Sequence, residues 1–228
     1  RSALGRRYAE NLGRVMAERY GLTPDVWAQA NRRITADWDS YYADLNLGGD
    51  DGIAEMWEGL FRTTRALFRI SGVPEPEKAE LTALSRELPG LAARECDALY
   101  PEAAAVLEEL DAAGLVLGVI SHAISIQVRA TLESVLPYFK GGIWGADSAE
   151  RFEKDVQRYQ AAALHARTAP ENCLMLDDKI APLVNARRAG MHSIQIRRDA
   201  ATTPYANGMI LPDLHGVVEY CLSQRANP

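Results

Sequence analysis

Three sets of polar residues follow short apolar runs in the second half of the sequence. Ser121 and His122 end "LVLGVISH", Lys154 stands in "RFEKDVQRY", and Asp177 and Asp178 end "CLMLDD". A hydroxyl beside the free backbone N–H groups of a helix start can bind phosphate oxygens. A lysine adds a point charge, and carboxylate oxygens suit a hard cation such as Mg2+, which takes few protein ligands and keeps its waters. Together these groups fit the handling of a phosphate with a divalent cation. Each has a plainer reading: Ser121 as a helix N-cap, Lys154 as a solvated helix lysine, the aspartate pair as a cap or an acidic turn. Their order and spacing favour the chemical one. No G-x-S-x-G elbow precedes His122, so a serine triad is not indicated. His165, His192 and His215 are scattered without metal-ligand spacing.

In an open parallel sheet, ligands bind outside the carboxyl ends of the strands, and the sequence supplies such strands. Apolar runs at 115–120, 142–144, 173–176, 193–196 and 209–211 alternate with helical stretches at 101–113, 124–136, 154–167, 180–189 and 213–222. That alternation predicts a parallel sheet covered on both faces. From 2 to about 88 the periodicity is helical instead, as in Leu4, Tyr8, Leu12, Val15 and Met16, which predicts a helical bundle. "GLTPDVW" offers a stop at Gly21, an N-cap at Thr23 and a proline at the first helical position. The expected organisation is a helical domain over 1–97 followed by a Rossmann-like α/β domain over 98–228. Arg62, Arg65 and Arg69 form one stripe of a helix, read as a solvated face or, less directly, as a surface for an anionic substrate.

With 228 residues, 47% hydrophobic and 25% charged, the chain can bury a sizeable core. A net charge of −6 gives no basic footprint for a phosphate backbone, so nucleic acid is an unsuitable partner and a small molecule a better one. Three cysteines far apart suggest neither a disulfide framework nor a zinc site. No apolar run reaches the roughly 18 residues of a spanning helix. The expectation is a cytoplasmic protein with no membrane partner.

The second half resembles the haloacid dehalogenase (HAD) superfamily, mostly Mg2+-dependent phosphohydrolases with a smaller group of dehalogenases. The resemblance covers 100–218, through "YPEAAAVLEELDAAGLVLGVISHA", "FEKDVQRYQAAALHARTAPENCLMLDDKIAPLVNARRAGMHSIQI" and "MILPDLHGVV". It implies that the helical first half is an inserted cap. It also implies that Ser121 is the second-motif hydroxyl on the transferring group, Lys154 the third-motif lysine, and Asp177 with Asp178 the metal-binding acids of the fourth motif. His122, beside the hydroxyl, is placed at the substrate, and Mg2+ is the implied cofactor for a small anionic substrate.

Three departures accompany it. His122 stands where asparagine often follows the hydroxyl, and Pro182 where a further acid or amide is common. The first motif, Asp-x-Asp-x-Thr after an apolar strand, is absent. Asp37 and Asp39 in "ITADWDSYY" have the right spacing, but Ile34 and Trp38 share a helical face with Tyr41 or Tyr42, which favours a cap helix. The motif strand normally lies between 115–120 and 173–176, so its loss leaves a gap of roughly 9 to 10 Å. Since the sequence opens on Arg1, about 10 to 20 further residues, one strand plus a turn, are expected upstream. The leading expectation is a phosphatase of a small phosphorylated metabolite, working through an aspartyl-phosphate in the complete protein. The alternatives are a catalytically silent binding or interaction protein and a haloacid dehalogenase. A response-regulator receiver domain is disfavoured, because it places its acid pair after the first strand and has no helical insertion.

Overall fold

The computed structural model describes residues 3–96, 99–148, 152–199, 203–205 and 208–226. In chain order come helices α1 (Ala3–Tyr20), α2 (Pro24–Ala36), α3 (Gly52–Ser71), α4 (Lys78–Ala93) and α5 (Ala103–Ala112). Then follow β1 (Val119–Ile120), α6 (Ser125–Thr131), β2 (Ile143–Trp144), α7 (Val156–His165), β3 (Leu174–Asp177) and α8 (Ile180–Arg188). Last are β4 (His192–Ile196), β5 (Met209–Leu211) and α9 (His215–Ala226). Two compact units result. One comprises Arg1–Ala98, Ser121–Glu133 and Gly145–Glu153; the other comprises Leu99–Ile120, Ser134–Trp144 and Lys154–Pro228. The expected domain boundary at 97 and 98 falls on residues outside those described.

The first unit is helical because its apolar residues recur at helical spacing and its stops are well placed. Gly21 ends α1 at φ +76°, a conformation that costs glycine little. Thr23 then takes an extended N-cap conformation, but its side chain makes no capping bond, so Pro24 at the first helical position sets the start of α2. Gly72, at φ +72°, ends α3 in the left-handed region. The core gathers around Trp27 and Phe68, both fully buried. Phe68 lies edge-on to Trp27 at 5.4 Å between ring centroids and to Tyr20 at 4.9 Å, the arrangement ring quadrupoles favour. Trp27 Nε1 donates to Gly21 O at 2.8 Å, so the buried indole is satisfied.

The second unit is α/β with parallel, Rossmann-like pairing. β1 pairs with β2, and β3, β4 and β5 pair in that order, all parallel. The strand period of two places Leu174 and Leu176 against a core of Val106, Leu110, Ile194, Ile196 and Val217. Cys173 and Met175 pack instead against Tyr159, Ala163, Ala186 and Met191. Both faces of β3 are therefore covered, as a parallel sheet requires.

Among the described residues the strands form two sets, β1–β2 and β3–β4–β5, rather than one sheet. β1 and β3, between which the sequence places a gap, belong to different sets. The run 115–120 accordingly shortens to Val119–Ile120, since β1 has a partner on one side only; Leu117 O still accepts from Gly141 N at 2.7 Å. The expected helix 124–136 also changes. It stops at Thr131, and a 3-10 segment, Glu133–Tyr138, follows, because Pro137 has no N–H and disfavours helical geometry in the residue before it. No helix among the described residues is long and apolar enough to cross a membrane.

Candidate functional site

In the second unit the two aspartates of "CLMLDD" have different surroundings. Asp177 is the last residue of β3, and its Oδ2 accepts from Lys154 Nζ at 3.0 Å. The two side chains are only 12% and 10% exposed. Asp177 Oδ1 accepts from Lys179 N at 2.9 Å, an Asx turn that aims the chain away from the strand. Both oxygens of this carboxylate are thus engaged. Asp178, one residue on, is exposed.

Lys154 does not open α7. Asp155 takes the N-cap position, its Oδ1 accepting from Arg158 N at 2.9 Å, so the helix begins at Val156 rather than 154. An aspartate caps a helix far better than a lysine can. Lys154 is left just outside the helix, where its ammonium reaches Asp177.

Two amides that sequence reasoning missed hold this arrangement. Asn185 Nδ2, on α8, donates to Lys154 O at 3.0 Å. Gln195, fully buried on β4, donates from Nε2 to Asp178 O at 3.0 Å and to Thr203 O at 2.8 Å, and its Oε1 accepts from Tyr205 N at 2.8 Å. The available signal was a polar residue inside "SIQI", a strand with both faces covered. Arg158 and Tyr159 were missed as well. Arg158 is buried and donates from Nη2 to Trp144 O at 3.1 Å. The Tyr159 hydroxyl is buried without a hydrogen-bond partner among the described residues. Burial, and after it the negative charge of Asp177, pushes the Tyr159 hydroxyl well above the usual tyrosine range.

Ser121 and His122 belong to the first unit. Ser121 is not the cap of α6, which starts four residues later behind Ile124. Its Oγ accepts from Ala123 N at 3.1 Å, because the chain turns immediately after β1 instead of entering a helix. The expected helix-start phosphate cradle at Ser121 is therefore replaced by a serine turn. The exposed His122 ring stacks on Phe152 at 5.2 Å, with Nε2 3.9 Å from Glu153 Oε2. His122 and Phe152 both line a cavity of about 650 Å3 inside this unit.

The other acidic candidate resolves as a helix end. Asp37 is the C-cap of α2, its Oδ2 accepting from Ser40 Oγ at 2.8 Å, and Asp39 lies in the 3-10 turn Trp38–Tyr41. Neither follows a strand. The arginine stripe is largely neutralised: Arg62 pairs with Asp44 at 2.6 Å and Glu58 at 2.9 Å, and Arg65 with Glu75 at 2.8 Å.

Among the described residues, no three histidine, cysteine or acidic side chains form a group able to hold a metal. Asp177 and Asp178 alone supply carboxylates at the end of β3. Such a set does not make an all-protein cage, but Mg2+ is often held by one or two carboxylates together with substrate phosphate and water. The donor chemistry fits an ion that arrives with a phosphate.

Comparison with known proteins agrees with this architecture. The family model described as haloacid dehalogenase-like hydrolase matches residues 11–190. Among solved structures, the 2-haloacid dehalogenase from Pseudomonas syringae pv. Tomato DC3000 is 17% identical, with a TM-score of 0.60 over 98% of this chain and 92% of that one. The L-2-haloacid dehalogenase from Xanthobacter autotrophicus with chloropropionic acid covalently bound is 14% identical, TM-score 0.55, over 96% and 94%. The HAD phosphatase from Thermococcus onnurineus is 17% identical, TM-score 0.55, over 96% and 90%. A search of the curated proteins found no match. At these identities the structures speak for the fold, whereas the family model spans most of the sequence: the chain belongs to the haloacid dehalogenase-like hydrolase family.

Proposed function

We propose that the protein is a Mg2+-dependent phosphatase of a small phosphorylated metabolite, with the helical unit as its cap. The observation that carries this reading is the enclosed Lys154–Asp177 pair at the carboxyl end of β3, beside the exposed carboxylate of Asp178. Asp177 and Asp178 would hold Mg2+, which when bound would offset charge on phosphoryl oxygens. Lys154 stabilises negative charge on the transferring group, and Ser121 donates a hydrogen bond to it. His122 contacts the substrate. A cytoplasmic location suits this chemistry and the widely spaced cysteines.

A second reading has its own support. Lys154 and Lys179 N–H already satisfy both oxygens of Asp177, so this carboxylate is hydrogen-bonded without a metal. That would suit a metal-independent haloacid dehalogenase.

The test uses the full-length gene product that carries this sequence. Phosphate release from a broad panel of monoesters is measured with Mg2+ and with chelator, and halide release from small haloacids in parallel. Mg2+-dependent phosphate release, lowered about a hundredfold or more in Asp177→Asn, is expected. Chelator-resistant halide release selects the dehalogenase. Silence on both panels selects a binding or interaction role.

A further inference from the structure

The cavity inside the helical unit has a chemistry of its own. Its volume of about 650 Å3 lies within the range of small-molecule sites, about 300 to 1,000 Å3. Apolar side chains dominate its wall, among them Tyr8, Leu12, Trp38, Met56, Leu60 and Phe152. The polar groups between them are mainly amides and hydroxyls such as Asn31, Gln127 and Thr131, joined by the exposed imidazole of His122, whose Nε2 faces Glu153 Oε2 at 3.9 Å. No lysine or arginine is among the described residues that line it, and the one carboxylate there is Asp39. Arg62 and Arg65, on α3, do not line it, and their guanidinium groups are held by Asp44, Glu58 and Glu75.

An anionic group entering this space would shed water without meeting a lysine or arginine among the described wall residues, and Asp39 would repel it. A neutral apolar group loses nothing of that kind. Each methylene it buries raises affinity by about fourfold. Amides and hydroxyls on the wall can orient it through hydrogen bonds without requiring charge.

We infer that this cavity binds an uncharged, predominantly apolar organic ligand. The binding of such a ligand does not rest on the phosphatase reading.

A matched pair of fluorescent probes tests this on the full chain. N-phenylnaphthylamine is neutral, and anilinonaphthalene sulfonate adds one sulfonate to the same skeleton. The neutral probe is expected to bind about tenfold or more tightly than the sulfonate, with little dependence on salt. Thr35 lines the cavity yet is exposed, so Thr35→Trp narrows it from the rim and should weaken the neutral probe by about tenfold. Equal or tighter binding of the sulfonate by the unmodified chain, or no binding of the neutral probe, overturns the inference, as does a folded Thr35→Trp variant that binds unchanged. Asp177→Asn should leave probe binding intact. Probe binding without Mg2+-dependent turnover therefore refutes the phosphatase and spares the cavity, and turnover without probe binding does the reverse.

Discussion

Replacing Lys154 by methionine keeps the apolar stem and removes the ammonium. The Asp177 carboxylate, about nine-tenths buried, then retains only the Lys179 N–H. Breaking a buried pair from one side costs about 3 to 5 kcal/mol. The surviving backbone bond and the small remaining exposure put this site at the low end, about 3 kcal/mol. Because the chain folds as two units, a global melt blends their responses, so a local readout is preferable. Hydrogen exchange across β3 and β4 supplies one: about 3 kcal/mol corresponds to exchange accelerated about a hundredfold where opening of the second unit limits it. Adding Asp177→Asn removes the orphaned charge and should restore much of the loss, giving a coupling of about 2 kcal/mol in the double-mutant cycle. A single-variant effect below about 0.5 kcal/mol with no coupling is the behaviour of a solvated surface pair. That result would refute the claim that an enclosed ion pair organises this site.

Two further outcomes follow from particular contacts. Gln195→Leu leaves Asp178 O, Thr203 O and Tyr205 N without their side-chain partner; a loss of about 2 to 4 kcal/mol is expected, with exchange of the Tyr205 amide accelerated most. Stability should also decline in alkali through Tyr20, whose pKa is pushed up to about 12 by burial first and then by its hydrogen bond to Glu80. The folded value lies above the unfolded value of about 10, so this contribution is full below pH about 10 and is lost as pH rises toward about 12. Tyr20→Phe should flatten that decline in denaturant titrations; an unchanged slope would show that Tyr20 titrates normally.

The elements legible in the sequence are those whose boundaries depend on their own residues. The run 209–211 matches β5, 193–196 lies within β4, and Gly21 ends α1 as read. What failed depended on partners or on competition. The apolar run 115–120 holds enough residues for a full strand, yet β2 offers only Ile143 and Trp144 to pair with it, and pairing sets strand length. Lys154 looks helical until Asp155 competes for the cap. At the candidate site, Asp177 and Lys154 were readable as types in order. Gln195 and Asn185 were not, because an amide carries no chemical signature until its partners are known. The cavity was illegible for a related reason: its wall is drawn from α1, α2, α3, α4, α6 and the loops between, and no local pattern marks residues so far apart in sequence.

The two departures His122 and Pro182 have local duties that bear on the silent-protein alternative. Pro182 sits in the first turn of α8 and is buried there, where its missing N–H leaves no gap in the helix ladder and its fixed φ suits the helix. An aspartate at that buried position would need a partner for its charge. His122, stacked on Phe152 within reach of Glu153, forms part of the cavity wall. Asparagine there would give up the ring stacking and most of the apolar surface. Each departure is thus explained by packing or by ligand contact in its own unit, so neither argues by itself that catalysis was lost. The weight of that question rests on Lys154 and Asp177. A decayed site has no need to bury an ammonium and a carboxylate together, and two well-packed apolar residues of similar volume would be no less stable than a buried ion pair. The charged pair, with Asn185 on the backbone of Lys154 and Gln195 on that of Asp178 beside Asp177, is the feature on which the proposed catalytic role rests.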